Sequence, residues 1–111
     1  MSRKDLRRAI ALTLPPDVWR AVRAHRRPGS TRRLMDTVRV LVEAGLRHPP
    51  EVPALPALPQ APCRALQLPR PARARVATLA RDWGMSPAQV VCILIRQALA
   101  AENRTQPLSR D

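Results

Sequence analysis

The strongest constraint on this chain of 111 residues is an internal repeat, because the same succession of patterns occurs twice. Each copy opens with a short alternating apolar stretch that ends at a Leu-Pro pair, Leu14-Pro15 in the first copy and Leu68-Pro69 in the second. Two stretches with apolar residues at helical spacing follow each pair, with a glycine-containing break between them. The repeated order is therefore strand, helix, turn, helix.

The alternation predicts half-buried strands over residues 9–14 and 64–68. The large apolar side chains share one face of each strand, and small or polar side chains share the other. We expect the apolar faces to enter a core and the other faces to remain outside.

In the first copy, a helix is predicted from residue 16 or 17 to about 27, and a second from residue 31 to about 46 with Ser30 as its N-cap. In the second copy, helices are predicted from residue 71 or 72 to 83 and from 87 to about 101, the latter capped by Ser86. Ser30 thus lies 16 residues after Leu14, and Ser86 lies 18 residues after Leu68. Trp19 and Trp83 are placed at similar points of the two first helices and are expected in the core.

Residues 48–62 join the copies, and six of these fifteen residues are proline. Proline fixes φ and removes a hydrogen-bond donor, so neither a helix nor the interior of a sheet is expected there. The composition favours a semi-rigid polyproline-II spacer, a disordered tether, or, less readily, a proline-rich ligand segment. The predicted organisation is a basic arm over 1–8, repeats over 9–47 and 63–101, this linker, and a disordered tail over 102–111.

Neither copy is expected to fold alone. Each has roughly 40 residues, near the size below which a single domain rarely buries enough apolar surface. A single strand also leaves both of its edges unpaired. We therefore expect the two strands to pair with each other and the four helices to share one core, with pairing between chains as the alternative.

Charge and composition limit the function. Lys and Arg number 20 against 8 Asp and Glu, which gives a formal net charge of +12 and implies a polyanionic partner, nucleic acid first. No apolar run approaches the roughly 18–20 residues that cross a bilayer, and no secretory signal is visible, so no membrane partner is expected. Cys63 and Cys92 lack the spacing of a metal site or a disulfide framework, which favours reduced thiols in a bacterial cytoplasm. No cofactor site, metal site or catalytic set is recognisable, so an enzyme is not expected.

Two sets of motifs resemble the ribbon-helix-helix family of DNA-binding proteins. They are Ile10-Ala11-Leu12-Thr13-Leu14-Pro15 with Pro28-Gly29-Ser30, and Ala65-Leu66-Gln67-Leu68-Pro69 with Gly84-Met85-Ser86-Pro87. Most members of that family are homodimers of one copy, whereas the tandem form here is similar to the TraY proteins of conjugative plasmids. The resemblance implies a mainly α fold with a short two-stranded antiparallel ribbon, in which the two repeats form an intramolecular pseudo-dimer.

The resemblance also implies that the ribbon enters the major groove of double-stranded DNA and that its outward side chains contact base edges. Those side chains are Ala9, Ala11, Thr13, Ala65 and Gln67. Glutamine can form a bidentate contact with adenine, threonine can donate or accept, and alanine offers only apolar contact to a thymine methyl. Since the two strands differ, the half-sites need not be palindromic.

Phosphate contacts are expected from the N-termini of the second helices and from nearby arginines. The residues are Arg7, Arg8, Ser30, Thr31, Arg32, Arg33, Arg64 and Ser86. Arg32 and Arg33 are placed in the first turn of a helix, where cations oppose the helix dipole, which hints at a phosphate partner.

Three functions follow from the resemblance. The first is a transcriptional repressor of its own or a neighbouring promoter, which is the commoner role in the family. The alternative is an accessory protein of plasmid conjugative transfer or maintenance, which acts with a DNA-processing enzyme. An antitoxin-like protein-interaction module ranks third, because only the short residues 102–111 follow the last helix. Further copies of the chain on adjacent DNA sites are also expected partners.

Overall fold

The computed structural model of the chain describes residues 9–25, 33–51, 55–59 and 63–105, the last four by their backbone only. The first repeat contains strand β1 (Ile10–Leu12), helix α1 (Pro16–His25) and helix α2 (Leu34–Arg47). The second contains strand β2 (Arg64–Leu66), helix α3 (Arg70–Trp83) and helix α4 (Pro87–Thr105). The prediction of a mainly helical chain with a two-stranded antiparallel sheet is confirmed.

The two strands pair with each other across the repeats. Ile10 lies opposite Leu66, Ala11 opposite Ala65, and Leu12 opposite Arg64. Each strand has three residues, fewer than predicted. A proline stands three residues after the end of each strand, and a helix begins at the next residue. The backbone therefore turns away from the strand pairing before the predicted strand ends.

The core lies beneath the ribbon and between the second helices. Its fully buried side chains come from both strands and all four helices, including Leu12, Leu66, Val22, Val76 and Leu94. Helix α2 crosses α4 closely at Gly45, where an added Cβ would lie 2.9 Å from the backbone Cα and carbonyl carbon of Leu94. Glycine is therefore required at this crossing by the facing backbone.

The first helices begin in the same way. The carbonyl of Pro15 accepts the N–H of Trp19 at 3.1 Å, and the carbonyl of Pro69 accepts the N–H of Arg73 at 2.9 Å. Trp19 thus corresponds to Arg73, and the placement of the two tryptophans at similar points is wrong, because Trp83 is the last residue of α3. Trp19 is buried in the core, whereas Trp83 is half-buried against it.

The predicted start of α2 is also wrong. The helix begins at Leu34 with Arg33 as its N-cap, instead of at residue 31 with Ser30 as the cap. The physical reason is Asp36, whose carboxylate accepts the Arg33 N–H at 3.4 Å and satisfies a donor at the helix start. Ser30 itself lies outside the described residues.

In the second repeat, the helix boundaries next to the turn agree with the predicted ones. Helix α3 ends before Gly84, which adopts the left-handed conformation with φ 66°, and α4 begins at Pro87. Helix α4 continues to Thr105, so residues 102–105 belong to the helix and not to the expected tail. The sequence has alanines at 98, 100 and 101 and neither glycine nor proline from residue 88 to residue 106, so no helix-breaking residue ends the helix earlier.

Part of the proline-rich linker is docked on the second repeat. Pro56 is buried, its carbonyl accepts a hydrogen bond from Gln89 Nε2 at 3.2 Å, and Leu58 packs against the core. Residues 55–59 therefore lie on the start of α4 and do not act as a free spacer.

Within the described part of the chain, no single helix is long and apolar enough to cross a membrane. Helices α3 and α4 reach that length and composition only when joined, and they meet at a bend of 103°.

Candidate nucleic-acid interface

Of the five predicted base-contacting residues, two lie in the paired part of the ribbon and three flank it. Ala11 and Ala65 lie opposite each other at its centre, and both are exposed. Ala9, Thr13 and Gln67 directly adjoin the strands and are half-buried, and the alternation of the sequence assigns them to the same outward row. If the register continues by one residue at each end, Thr13 lies opposite Cys63 and Ala9 lies opposite Gln67.

The chemistry of this outward row is uneven along the ribbon. Two methyl groups occupy the centre, the Thr13 hydroxyl and the exposed Cys63 thiol belong to one end, and the Gln67 amide belongs to the other. Only the two ends can therefore offer hydrogen bonds to a base edge, and they offer different ones.

Arg64 has an additional partner that the sequence did not reveal. It lies opposite Leu12, so it occupies the row that enters the core, yet its side chain is exposed. Its guanidinium carbon lies 5.7 Å from the centroid of the Trp19 ring, within the range of a cation–π contact. The aromatic ring thus holds this cation beside the ribbon, where a phosphate could still reach it.

The N-terminus of α4 is largely satisfied within the chain. The Ser86 N–H donates to Gln89 Oε1 at 2.9 Å, and the Gln89 N–H donates to Ser86 Oγ at 3.2 Å, which is a capping box. The Val90 N–H donates to the Ser86 carbonyl, and Pro87 has no N–H. Within this described turn, Ala88 alone keeps an N–H for an external anion, fewer than the sequence led us to expect.

The N-terminus of α2 has a carboxylate at the position where a phosphate was expected. Asp36 accepts the Arg33 N–H and also forms an ion pair with Arg39. Arg33 is exposed and precedes the helix, so its predicted place in the first helical turn is wrong. The remaining predicted phosphate contacts lie outside the described residues: Arg7, Arg8, Ser30, Thr31 and Arg32.

No model of a known protein family, no curated protein sequence and no solved structure matches this chain.

Three arginines, contributed by both repeats, line one cavity beside the ribbon. Arg39 from α2 donates its Nη1 to the backbone oxygen of Gln67 at 3.5 Å, and Arg70 and Arg73 from the start of α3 line the same cavity. The sequence places two of these arginines next to the second strand, but nothing local connects Arg39 with them. This cluster lies at the Gln67 end of the outward row.

The described titratable groups bear on two properties, metal binding and thiol reactivity. Among the described residues, no three His, Cys, Asp or Glu side chains are grouped so that they could hold a metal ion. Burial raises the pKa of the Cys92 thiol, an effect that nearby Arg96 partly offsets. The thiol of Cys92 is therefore neutral at physiological pH, as expected of a core side chain.

Proposed function

We propose that the protein binds double-stranded DNA by placing the β1–β2 ribbon in the major groove, and that it represses its own or a neighbouring promoter. One observation carries this proposal: a strand from each repeat pairs antiparallel and presents a row of small and polar side chains, on a chain of net charge +12. The major groove of B-DNA admits a two-stranded ribbon. Small central side chains allow the ribbon backbone to approach the base edges closely.

We also propose that the two repeats form an intramolecular pseudo-dimer. Ala11 and Ala65 each stand three residues before the leucine of a Leu-Pro pair, and they lie opposite each other in the ribbon. A two-fold axis relating the repeats would pass through this pair. The matching hydrogen bonds at the starts of α1 and α3 agree with that relation.

The second helices support the same relation. Arg33 and Ser86 are the residues before α2 and α4, and each N–H donates to the side chain three positions later, Asp36 or Gln89. Under this correspondence Glu43 matches Arg96. Arg96 lies 3.8 Å from Asp17, and Glu43 lines a cavity with Pro71, the residue that matches Asp17. Matching positions of the first and second helices of opposite repeats thus lie near each other at both ends of the molecule, which supports the proposed relation.

The proposed contacts divide into two groups. Gln67 and Thr13 supply hydrogen bonds to base edges, while the alanines between them supply apolar contacts. Arg33 at the start of α2 and Arg64 in β2 are exposed and supply phosphate contacts, together with the N-terminus of α4 near Ser86. Base contacts give sequence preference, and phosphate contacts give affinity that depends on salt.

The test is fluorescence anisotropy with two labelled duplexes over a salt series. One duplex carries the DNA upstream of the protein's own gene, and the other carries the same bases shuffled. Tighter binding to the upstream duplex that persists at physiological salt supports a repressor. Equal affinities that fall together with salt support a phosphate-driven binder, as an accessory protein of DNA transfer would be. Absence of binding to either duplex refutes the proposal.

Three variants assign the roles. Gln67→Ala is expected to weaken binding to the upstream duplex more than to the shuffled one, whereas Arg33→Ala should weaken both and reduce the salt dependence. Arg47→Ala is the matched control, because this exposed arginine ends α2, about 20 Å along the helix from Arg33. Equal losses for Gln67→Ala on both duplexes would remove that residue from base recognition.

A further inference from the structure

A cavity at one end of the ribbon is lined by three arginines that come from both repeats. Its volume is about 350 Å³, and its other lining residues are Gln67, Leu68 and Pro69. Arg39 comes from α2 of the first repeat, and Arg70 and Arg73 come from α3 of the second. The cluster therefore exists only when the two repeats are assembled.

The arrangement leaves positive charge without sufficient local compensation. Asp36 pairs with Arg39, and no acidic residue lies in the first turn of α3. Asp36 and the three arginines together carry a net charge of about +2. The positive N-terminal end of the α3 dipole adds to this charge. Arginines in the first turn of a helix are electrostatically unfavourable, so an anion in this cavity would relieve a real repulsion.

Arg39 is oriented by two partners within the chain. Arg39 is held by Asp36 on one side and by the Gln67 backbone oxygen on the other. Of the other two lining arginines, Arg73 is half-buried and Arg70 is exposed. Guanidinium groups present N–H donors in a planar fork that suits phosphate oxygens.

The corresponding place at the other end of the ribbon is different. The residues that match Arg39, Arg70 and Arg73 under the correspondence above are Cys92, Pro16 and Trp19. Two arginines are found at that end, and both already have partners: Arg64 lies over the Trp19 ring, and Arg96 forms an ion pair with Asp17. The cluster of three arginines is thus confined to one end, beside Gln67.

We propose that Arg39, Arg70 and Arg73 form a phosphate-binding cradle at the Gln67 end of the ribbon. The cradle takes a phosphate group of the DNA backbone that flanks the base pair contacted by Gln67, and this assignment of the ligand rests on the proposed DNA-binding function. Because the cradle occurs at one end only, it favours one direction of the protein along the groove.

The first experiment measures duplex binding over a salt series with the double variant Arg70→Gln/Arg73→Gln. If two phosphate contacts are lost, the slope of log K against log salt should fall by about 1.8, since each contact contributes about 0.9. The control is Arg47→Gln/Arg81→Gln, which removes the same charge from exposed positions in the last turns of α2 and α3. Equal changes in slope for the two double variants would overturn the cradle.

The second experiment needs no DNA. Inorganic phosphate is titrated into the labelled full chain while the arginine Nε–Hε resonances are followed by NMR. Saturable shifts of Arg39, Arg70 and Arg73 are expected, and the Arg39 shift should disappear in Arg70→Gln/Arg73→Gln. A linear response equal to that of Arg47 would show that no cradle exists.

The two experiments separate the two proposals. If phosphate binds at the arginines but no duplex does, the cradle stands as a site for free phosphate groups and the DNA-binding function fails. If duplexes bind but neither the salt slope nor the resonances depend on Arg70 and Arg73, the function stands and the cradle is wrong.

Discussion

Replacing Gly45 with alanine tests the close crossing of α2 and α4. The added Cβ would lie 2.9 Å from the Cα and carbonyl carbon of Leu94, and closer still to the carbonyl oxygen. These are backbone atoms, so no side-chain rotation can relieve the contact. Ordinary van der Waals contact begins at 3.4 Å, which means that one helix must move by roughly half an ångström or more.

Two opposing effects set the change in the free energy of unfolding that Gly45→Ala causes. An extra methyl group in a well-packed core costs about 1–3 kcal/mol, whereas alanine is favoured over glycine inside a helix by about 0.5–1 kcal/mol. The neighbours Val42, Leu94 and Ile95 are fully buried, so the surroundings cannot yield without disturbing the core. We expect a net loss of about 1–2 kcal/mol in the free energy of unfolding, and a decrease in Tm of roughly 4–8 °C per kcal/mol.

Urea unfolding followed by circular dichroism and by tryptophan fluorescence measures the change. Ala77→Gly on the exposed side of α3 is the control, because it reports the helix preference of alanine without a core contact. If Gly45→Ala raises the stability by about as much as Ala77→Gly lowers it, the helices do not approach as closely as described. That result would refute the reasoning.

Three further predictions follow from individual contacts. Ser86→Ala removes the α4 cap and should lower the free energy of unfolding by about 1 kcal/mol in urea; an unchanged midpoint would mean that the capping box is unimportant. A thiol reagent should modify Cys63 in the folded protein and Cys92 only after unfolding, since Cys92 is buried and its pKa is raised; two rapidly reacting thiols would contradict this burial. A protease site in place of residues 60–62 should allow cleavage without separation of the halves in gel filtration, because β1 pairs with β2 and α2 packs on α4; independent elution would contradict the shared core.

The elements with strong local signals are the ones that the sequence predicts well. Leu12, Leu14, Leu66 and Leu68 alternate with small or polar residues, and all four are buried in the structure. The start of α4 follows from Ser-Pro, a cap followed by a residue whose φ suits the first turn. In these places, propensity, hydrophobic pattern and tertiary contacts all favour the same conformation.

The predicted start of α2 is wrong because two local sequence signals for a helix start compete. Ser30 is a good N-cap residue by type, but Asp36 is a carboxylate three residues after Arg33, which also indicates a helix start. The side chain of Asp36 gains both a backbone donor and an ion pair with Arg39. An isolated pattern of residue types does not reveal which of these starts has the more favourable set of partners.

The central pair of the outward row, Ala11 and Ala65, could be predicted, but the grouping of Arg39 with Arg70 and Arg73 could not. Alternation alone assigns Ala11, Ala65 and Gln67 to one face of the ribbon. By contrast, Arg39 and Arg70 are far apart in sequence and meet only because α2 of one repeat lies beside the strand end and α3 of the other. The relative placement of helices is a tertiary property, for which a single sequence has no periodic signal.

A single chain with two repeats permits a difference that a homodimer cannot have. In a homodimer, a substitution that creates Arg73 would also create it at the symmetric position, now held by Trp19, which is buried in the core and lies beside Arg64. Within one chain, one copy can keep the aromatic ring for packing while the other presents a cation. In the proposed pseudo-dimer, the matching positions Thr13 and Gln67 differ for the same reason, so that one copy presents a hydroxyl and the other an amide. Because the arginine cluster and the amide lie at the same end, charge and base recognition would both favour one orientation, and a DNA site without internal symmetry is the expected partner.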